Sequence, residues 1–192
     1  MNIFRLSDCP LEAAQMMCDK HIPKMIVEAA QMLSTAHRML DGHEARRRSK
    51  SGRSMVKYYV MSDPFMEDNL YKAVHFNHPS SVWTRESQVN YLWHYHHFLE
   101  LCNEFEFRFG KVHATRTKLE KVLCHIPKNI PQTSDETPFR LAMKAYPQCI
   151  VEGDPVQSYR NFYKADKADF ARWLKGRPAP YWWAEQEIKE AA

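Results

Sequence analysis

Glycine is scarce, at five of 192 residues. A fold punctuated by glycine turns is therefore disfavoured, and helices are favoured. The five cysteines (Cys9, Cys18, Cys102, Cys124 and Cys149) are odd in number and form no CxxC pair. That usage excludes a disulfide scaffold and points to a reduced, cytoplasmic setting. No run of about 18 apolar residues occurs, so no membrane span is expected. The opening residues MNIFRLSDCP lack the apolar stretch of a signal peptide. The chain has no Walker loop, GxGxxG, GxSxG or cysteine-nucleophile signature, which argues against nucleotide-driven enzymes and the common hydrolases. It also lacks HExxH and the cysteine–histidine spacing of zinc fingers. No internal repeat or linker-like stretch divides it, so one domain is expected.

What is present is an ordinary globular balance, with 44% hydrophobic and 26% charged residues. The net charge of +4, with ten histidines besides, permits a polyanion partner without demanding one. The most informative stretch is 18–38, CDKHIPKMIVEAAQMLSTAHR. Ile22, Met25, Ile26, Ala29, Ala30, Leu33 and Ala36 recur every three or four residues and make one apolar helix face. His21, Lys24, Glu28, Gln31, Ser34 and His37 recur with the same spacing and make a second stripe. Its mixture of chemical types suggests a cleft wall.

The remaining elements follow from caps and breakers. Residues 1–8 read as an extended lead-in, and a helix opens at Pro10 behind Ser7 or Asp8. The helix of the opening motif stops at Asp41-Gly42. Residues 43–57 read as a basic, flexible loop. A short helix over 64–74 precedes a turn, HFNHPSS. A long helix from about Val82 to Phe109 then ends at Gly110, with Ser80 or Ser81 as its cap. Further helices are expected over 112–124 and from Asp154-Pro155 to about Lys175, with an extended aromatic tail, GRPAPYWW, beyond.

Several groups of residues are able to carry chemistry. Glu28 beside Lys24 on one helix wall suits acid–base work or the stabilisation of a developing cation. Arg46, Arg47, Arg48 and Arg53 suit phosphate contacts from a flexible arm. Arg108, Lys111, His113 and Arg116 flank a helix break, where backbone amides and basic side chains make a phosphate site. Trp83 beside Arg85 is either core or a base-stacking platform. Arg160, Lys167, Tyr181 and Trp182 interleave bases with aromatics, as nucleic-acid surfaces do. His94, His96 and His97 invite a metal reading, but only His94 and His97 share a helix face.

Four features resemble the phage-type pyrimidine-dimer DNA glycosylases, the endonuclease V type of repair enzyme. They are Asp19-Lys20-His21 early in the opening motif and Glu28 seven residues after that histidine. A His78-containing turn then leads to a long helix with Trp83, Cys102 and Gly110. The last is Arg177-Pro178 before Tyr181-Trp182-Trp183. The resemblance implies a small, helical, metal-free enzyme whose N-terminal α-amine attacks the sugar of a damaged nucleotide. It implies that Glu28 stabilises the imine and that His21 is its neighbour. α-Amino groups titrate at roughly 7.7–8.0, so some are unprotonated near neutrality. In the family the initiator methionine is removed to expose a small residue. Asn2 is a poor context for that removal, so Met1 and Asn2 both enter the candidate site.

The resulting expectation is a mainly α, compact single-domain helical bundle with long loops. Its function is expected to be that of a DNA-base N-glycosylase, with or without AP-lyase activity. Glu28, His21, Met1 and Asn2 are its catalytic candidates. Lys24, Arg46, Arg47, Arg48, Arg53, Arg85, Arg108, Lys111, His113, Arg116, Arg160 and Lys167 are its nucleic-acid contacts, and Trp83, Tyr181 and Trp182 its stacking residues. Double-stranded DNA is the expected partner of a monomer, without cofactor, metal or membrane. The alternatives are a non-catalytic nucleic-acid-binding module and a metal-dependent helical hydrolase built from the histidines.

Overall fold

Helix α2 (His21–Asp41) is central to the fold and packs against the long helix, its two helical neighbours and the base of the hairpin. A computed structural model describes residues 1–49 and 51–183. The architecture is mainly α. Besides α2 it comprises α1 (Pro10–Gln15), α3 (Pro64–Asn69), α4 (Pro79–Glu86), α5 (Gln88–Phe109), α6 (Ala114–Leu123) and α7 (Pro155–Lys167). Two strands, β1 (His43–Arg48) and β2 (Met55–Val60), form an antiparallel hairpin. Among the described residues no helix is long and apolar enough to cross a membrane.

The apolar stripe of α2 is core throughout: Ile22, Met25, Ile26, Ala29, Ala30, Leu33 and Ala36 are all buried. Each fully buried Ile, Leu or Met side chain contributes about 1.5–3 kcal/mol. The stripe packs on α5, α4 and α6. Pro23 sits in the first turn, where a missing N–H costs no helical bond. The second stripe is not the continuous cleft wall expected of it. His21, Ser34 and His37 are buried, and only Lys24, Glu28 and Gln31 reach the surface, fully or in part. The buried members find partners inside, although His37 Nδ1 has none among the described residues. Ser34 accepts the Tyr71 amide at 3.3 Å, and His37 Nε2 meets the Tyr91 hydroxyl at 2.9 Å.

Several boundaries differ from the sequence expectation. The basic loop over 43–57 is a hairpin, pairing His43 with Val60 through to Arg48 with Met55. The VKYYV segment supplies the β-favouring strand that the arginines lack. The long helix is broken at Ser87, whose extended backbone and side chain cap Asn90 and start α5 afresh. α4 is capped by His78, not by Ser80 or Ser81. α7 ends at Lys167 rather than Lys175, because the chain then turns to bond Asp19. The Asp19 amide donates to the Arg172 carbonyl at 2.9 Å, and Asp19 Oδ2 accepts the Leu174 amide at 2.6 Å. The expected stop at Gly110 holds. Its φ of 65° is left-handed, a conformation that glycine adopts without a Cβ penalty. Residues 177–180 of the expected aromatic tail have no regular secondary structure. Residues 181–183 are helical, with Trp182 and Trp183 buried.

Candidate active site

The N-terminal segment is pinned before it reaches Glu28. Ile3, Phe4 and Leu6 are buried. Arg5 pairs with Asp8 and Glu136, and its guanidinium lies 4.9 Å from the Trp93 ring centroid. Asn2 is held by its side chain: Oδ1 accepts the Tyr159 hydroxyl at 2.8 Å. Tyr159, itself fully buried, also accepts the Ala142 amide at 3.2 Å. The Met1 side chain packs beside the cluster of Ile3, Ala13, Met32, Trp83 and Trp93.

These contacts aim the terminus at one carboxylate. Glu28 Oε2 accepts the Asn2 amide at 2.9 Å and lies 3.5 Å from the Met1 α-amine. Lys24 Nζ stands 3.6 Å from the other oxygen, Oε1. Lys24 is largely exposed, so that i,i+4 pair by itself contributes only about 0.3–0.5 kcal/mol. The amine is held differently, because the Met1 side chain is nearly buried and fixes the terminus beside Glu28. His78 belongs to the same neighbourhood. Burial, then the positive terminus, lowers its pKa, while Glu28 acts in the opposite direction. His78 Nδ1 accepts the Ser80 amide at 3.2 Å, which assigns the proton of the neutral ring to Nε2. The arrangement brings together an α-amine, a carboxylate able to steady a cation, and an imidazole whose pKa is lowered.

The structure brings Met1, Asn2, Glu28 and Lys24 together, and it separates His21 from them. His21 is stacked 4.8 Å from Phe4 and bonded to the Tyr163 hydroxyl at 2.7 Å. Burial and then Lys167 lower its pKa to about 3. It is a neutral core residue and not a neighbour of Glu28.

The proposed DNA contacts divide in the same way. Arg46, Arg47, Arg48 and Arg53 are exposed on the hairpin and its turn, and Lys111 is exposed after α5. Arg85 is half-buried and donates to the Ser81 carbonyl at 2.9 Å. Arg108 is no DNA contact: its side chain has no exposed surface and is bonded to Glu104, Asp19 and the carbonyls of Met17 and Gln15. His113 caps α6 through the Thr115 amide, and Arg116 is paired with Glu120 and Glu106. Arg160 donates to the Leu6 carbonyl and the Tyr181 hydroxyl. Lys167 is paired with Asp166 and lies over Phe4, Phe162 and Phe170.

Trp83 is a core residue and not a stacking platform. It is fully buried, and its indole donates to the Thr137 carbonyl at 3.2 Å. Trp182 is also buried, with its indole on the Met16 sulfur at 3.4 Å, whereas Tyr181 is 62% exposed. The HYHH histidines are scattered. His94 bonds Thr84 and His97 meets the Pro10 carbonyl inside the core, while His96 is exposed. Among the described residues no three His, Cys, Asp or Glu side chains gather as metal ligands would.

His78 is among the features that carry the resemblance, but its place beside Glu28, and the hold of Tyr159 on Asn2, are not readable from the sequence. His78 stands in view in the HFNHPSS turn, where a histidine before proline is a natural cap. Tyr159 lies 157 residues from the Asn2 side chain it holds, and nothing local marks it. A groove of about 700 Å³ lies elsewhere, under the hairpin, and does not include Glu28. Comparison with protein-family models, curated proteins and solved structures returns no match for this chain.

Proposed function

We propose that the chain is a DNA-base N-glycosylase working through its N-terminal α-amine, with Glu28 as the stabilising carboxylate and double-stranded DNA as its partner. The observation that carries this reading is the Met1 amine, 3.5 Å from Glu28 Oε2, on a terminus fixed by the nearly buried Met1 side chain and by the Asn2–Tyr159 bond. The resemblance to the pyrimidine-dimer glycosylases, with or without their AP-lyase step, supports the same assignment.

In the proposed reaction the unprotonated amine attacks C1′ of the nucleotide sugar. The C1′–base bond breaks, and the base leaves with the electron pair and takes up a proton. The nitrogen lone pair then forms the C1′=N iminium as the C1′–O4′ bond opens and O4′ gains a proton. The Glu28 carboxylate lies where that cation develops. Water releases the base-free sugar. In the lyase branch, loss of a C2′ proton expels the 3′-phosphate instead. The nucleotide must first leave the stack. If the methionine is removed, the Asn2 nitrogen, already 2.9 Å from Glu28, becomes the amine.

Borohydride trapping on a labelled duplex carrying an abasic site tests the reading. The expected result is a covalent adduct that acetylation of the N-terminus blocks and Glu28→Gln abolishes while DNA binding survives. Absence of an adduct with the unmodified protein sinks the amine mechanism. The exposed arginines of the hairpin favour a second reading, a non-catalytic nucleic-acid-binding module, in which Glu28→Gln changes nothing.

A further inference from the structure

A second place on the molecule is arranged for an anion, and it stands apart from Glu28. Strand β2, the segment 70–74 and Lys118 of α6 wall the groove of about 700 Å³, within the size range of ligand sites. Arg38 lies at its base but is fully engaged, with Glu67 and with the carbonyls of Tyr59, Glu67, Leu70 and Tyr71. Lys57 is paired with Glu44 at 2.7 Å. Arg47, Arg48, Lys72 and Lys118 remain, all exposed, and they enter no ion pair among the described residues. Of the acidic lining, Glu67 is held by Arg38 and the Met61 amide, which leaves Asp68.

The cations are interleaved with aromatic faces. Arg47 and Lys72 lie 5.6 and 5.3 Å from the Tyr58 ring centroid, and Lys118 lies 5.4 Å from that of Tyr71. The positive surface also continues past the groove. The strand register sets Arg46 directly opposite Lys57, whose charge Glu44 already neutralises. An isolated phosphate would use the cations and leave the tyrosines idle. A lone nucleotide carries its phosphate at one point and would leave most of the four unpaired cations, Arg47, Arg48, Lys72 and Lys118, without an anion. A strand of nucleotides uses all of them, with phosphates on the cations and bases on the rings.

We infer that this groove holds a single-stranded stretch of DNA, with phosphates on Arg47, Arg48, Lys72 and Lys118 and a base on Tyr58 or Tyr71. The inference does not depend on the amine chemistry. Arg38 and Glu28 are ten residues apart on α2, or about 15 Å along the helix. On the glycosylase reading the groove therefore takes the strand flanking the reacting nucleotide.

Fluorescence anisotropy with a labelled oligothymidylate tests it, using the full chain, Lys72→Gln/Lys118→Gln and Tyr58→Leu, with circular dichroism to verify the fold. The double variant should bind at least tenfold more weakly at low salt. Its slope of log K against log salt should fall by about 1.4, or roughly 0.7 for each phosphate of a single strand that is no longer neutralised. Tyr58→Leu should weaken binding several-fold and leave the slope unchanged. Unchanged binding by the double variant overturns the inference. So does competition by thymidine monophosphate at the same phosphate concentration, which would mark a site for free nucleotides. If the unmodified protein binds the strand but forms no borohydride adduct, the amine mechanism falls and the groove stands. An adduct together with unaltered binding by the double variant gives the reverse.

Discussion

Arg108 has no exposed side-chain surface, and its guanidinium is divided among Glu104, Asp19 and two backbone carbonyls. Arg46, Arg47 and Arg48 carry the same group on a two-stranded ribbon, exposed and without a carboxylate partner among the described residues. Residue type does not separate the two sets, since each is a basic cluster with aromatics nearby. What separates them is whether the fold supplies acceptors at the guanidinium. Inside, the carboxylates and carbonyls of two chain segments, α5 itself and residues 15–19, surround Arg108, and its charge is consumed in holding α5 to the α1–α2 junction. Outside, the hairpin leaves donors unsatisfied by protein, and they are available to a ligand. An isolated two-stranded ribbon is marginal in water, so a charged one of this kind contributes little to the stability of the fold.

The contrast is tested most severely by truncating the buried member. Arg108→Ala leaves Glu104 and Asp19 buried with a partner missing, and should cost about 3–5 kcal/mol in urea unfolding. A loss below about 1 kcal/mol would erase the distinction. The converse experiment replaces Arg46, Arg47 and Arg48 together with glutamine. Stability should change by no more than about 0.5 kcal/mol per site. Duplex binding should weaken, with its salt slope falling by about 0.9 for each phosphate left without its cation.

The smallest effect sharpens the same division through histidine. Burial lowers His21 to about 3, and His37 and His97 to about 4, from an ordinary 6.5. Below pH 6.5 the unfolded chain binds protons at these positions that the folded chain refuses. Their contribution to stability is therefore complete above 6.5 and declines as the pH falls toward 4. Thermal melts at pH 7 and pH 5 should show the decline, and His37→Gln should flatten it. No such flattening is expected for His43, exposed on the ribbon.

Much of the frame is readable from the residues. The three-and-four spacing of α2, Pro10 and Asp154-Pro155 as helix starts, and Gly110 as a stop all rest on interactions within one or two helical turns. The hairpin is not readable, because β1 has no apolar alternation of its own and becomes a strand only by pairing with β2. Nor is the break at Ser87, where one serine side chain caps a second helix within an unbroken apolar pattern. Glu28 is identifiable as a carboxylate on a helix wall. That Arg108 and Trp83 are interior is not, because their partners lie far off along the chain. Asp19 is 89 residues from Arg108, and Thr137 is 54 from Trp83.

The Asn2–Tyr159 bond spans 157 positions, the Asp19–Leu174 bond 155 and the Cys18–Tyr163 bond 145. Closing loops of that size is entropically costly until many other interactions have formed. The helices can assemble from local signals, but the Asn2 side chain gains its Tyr159 partner only after α7 has docked on the opening segment. In a refolding chain helical content therefore returns before the N-terminal segment is fully held.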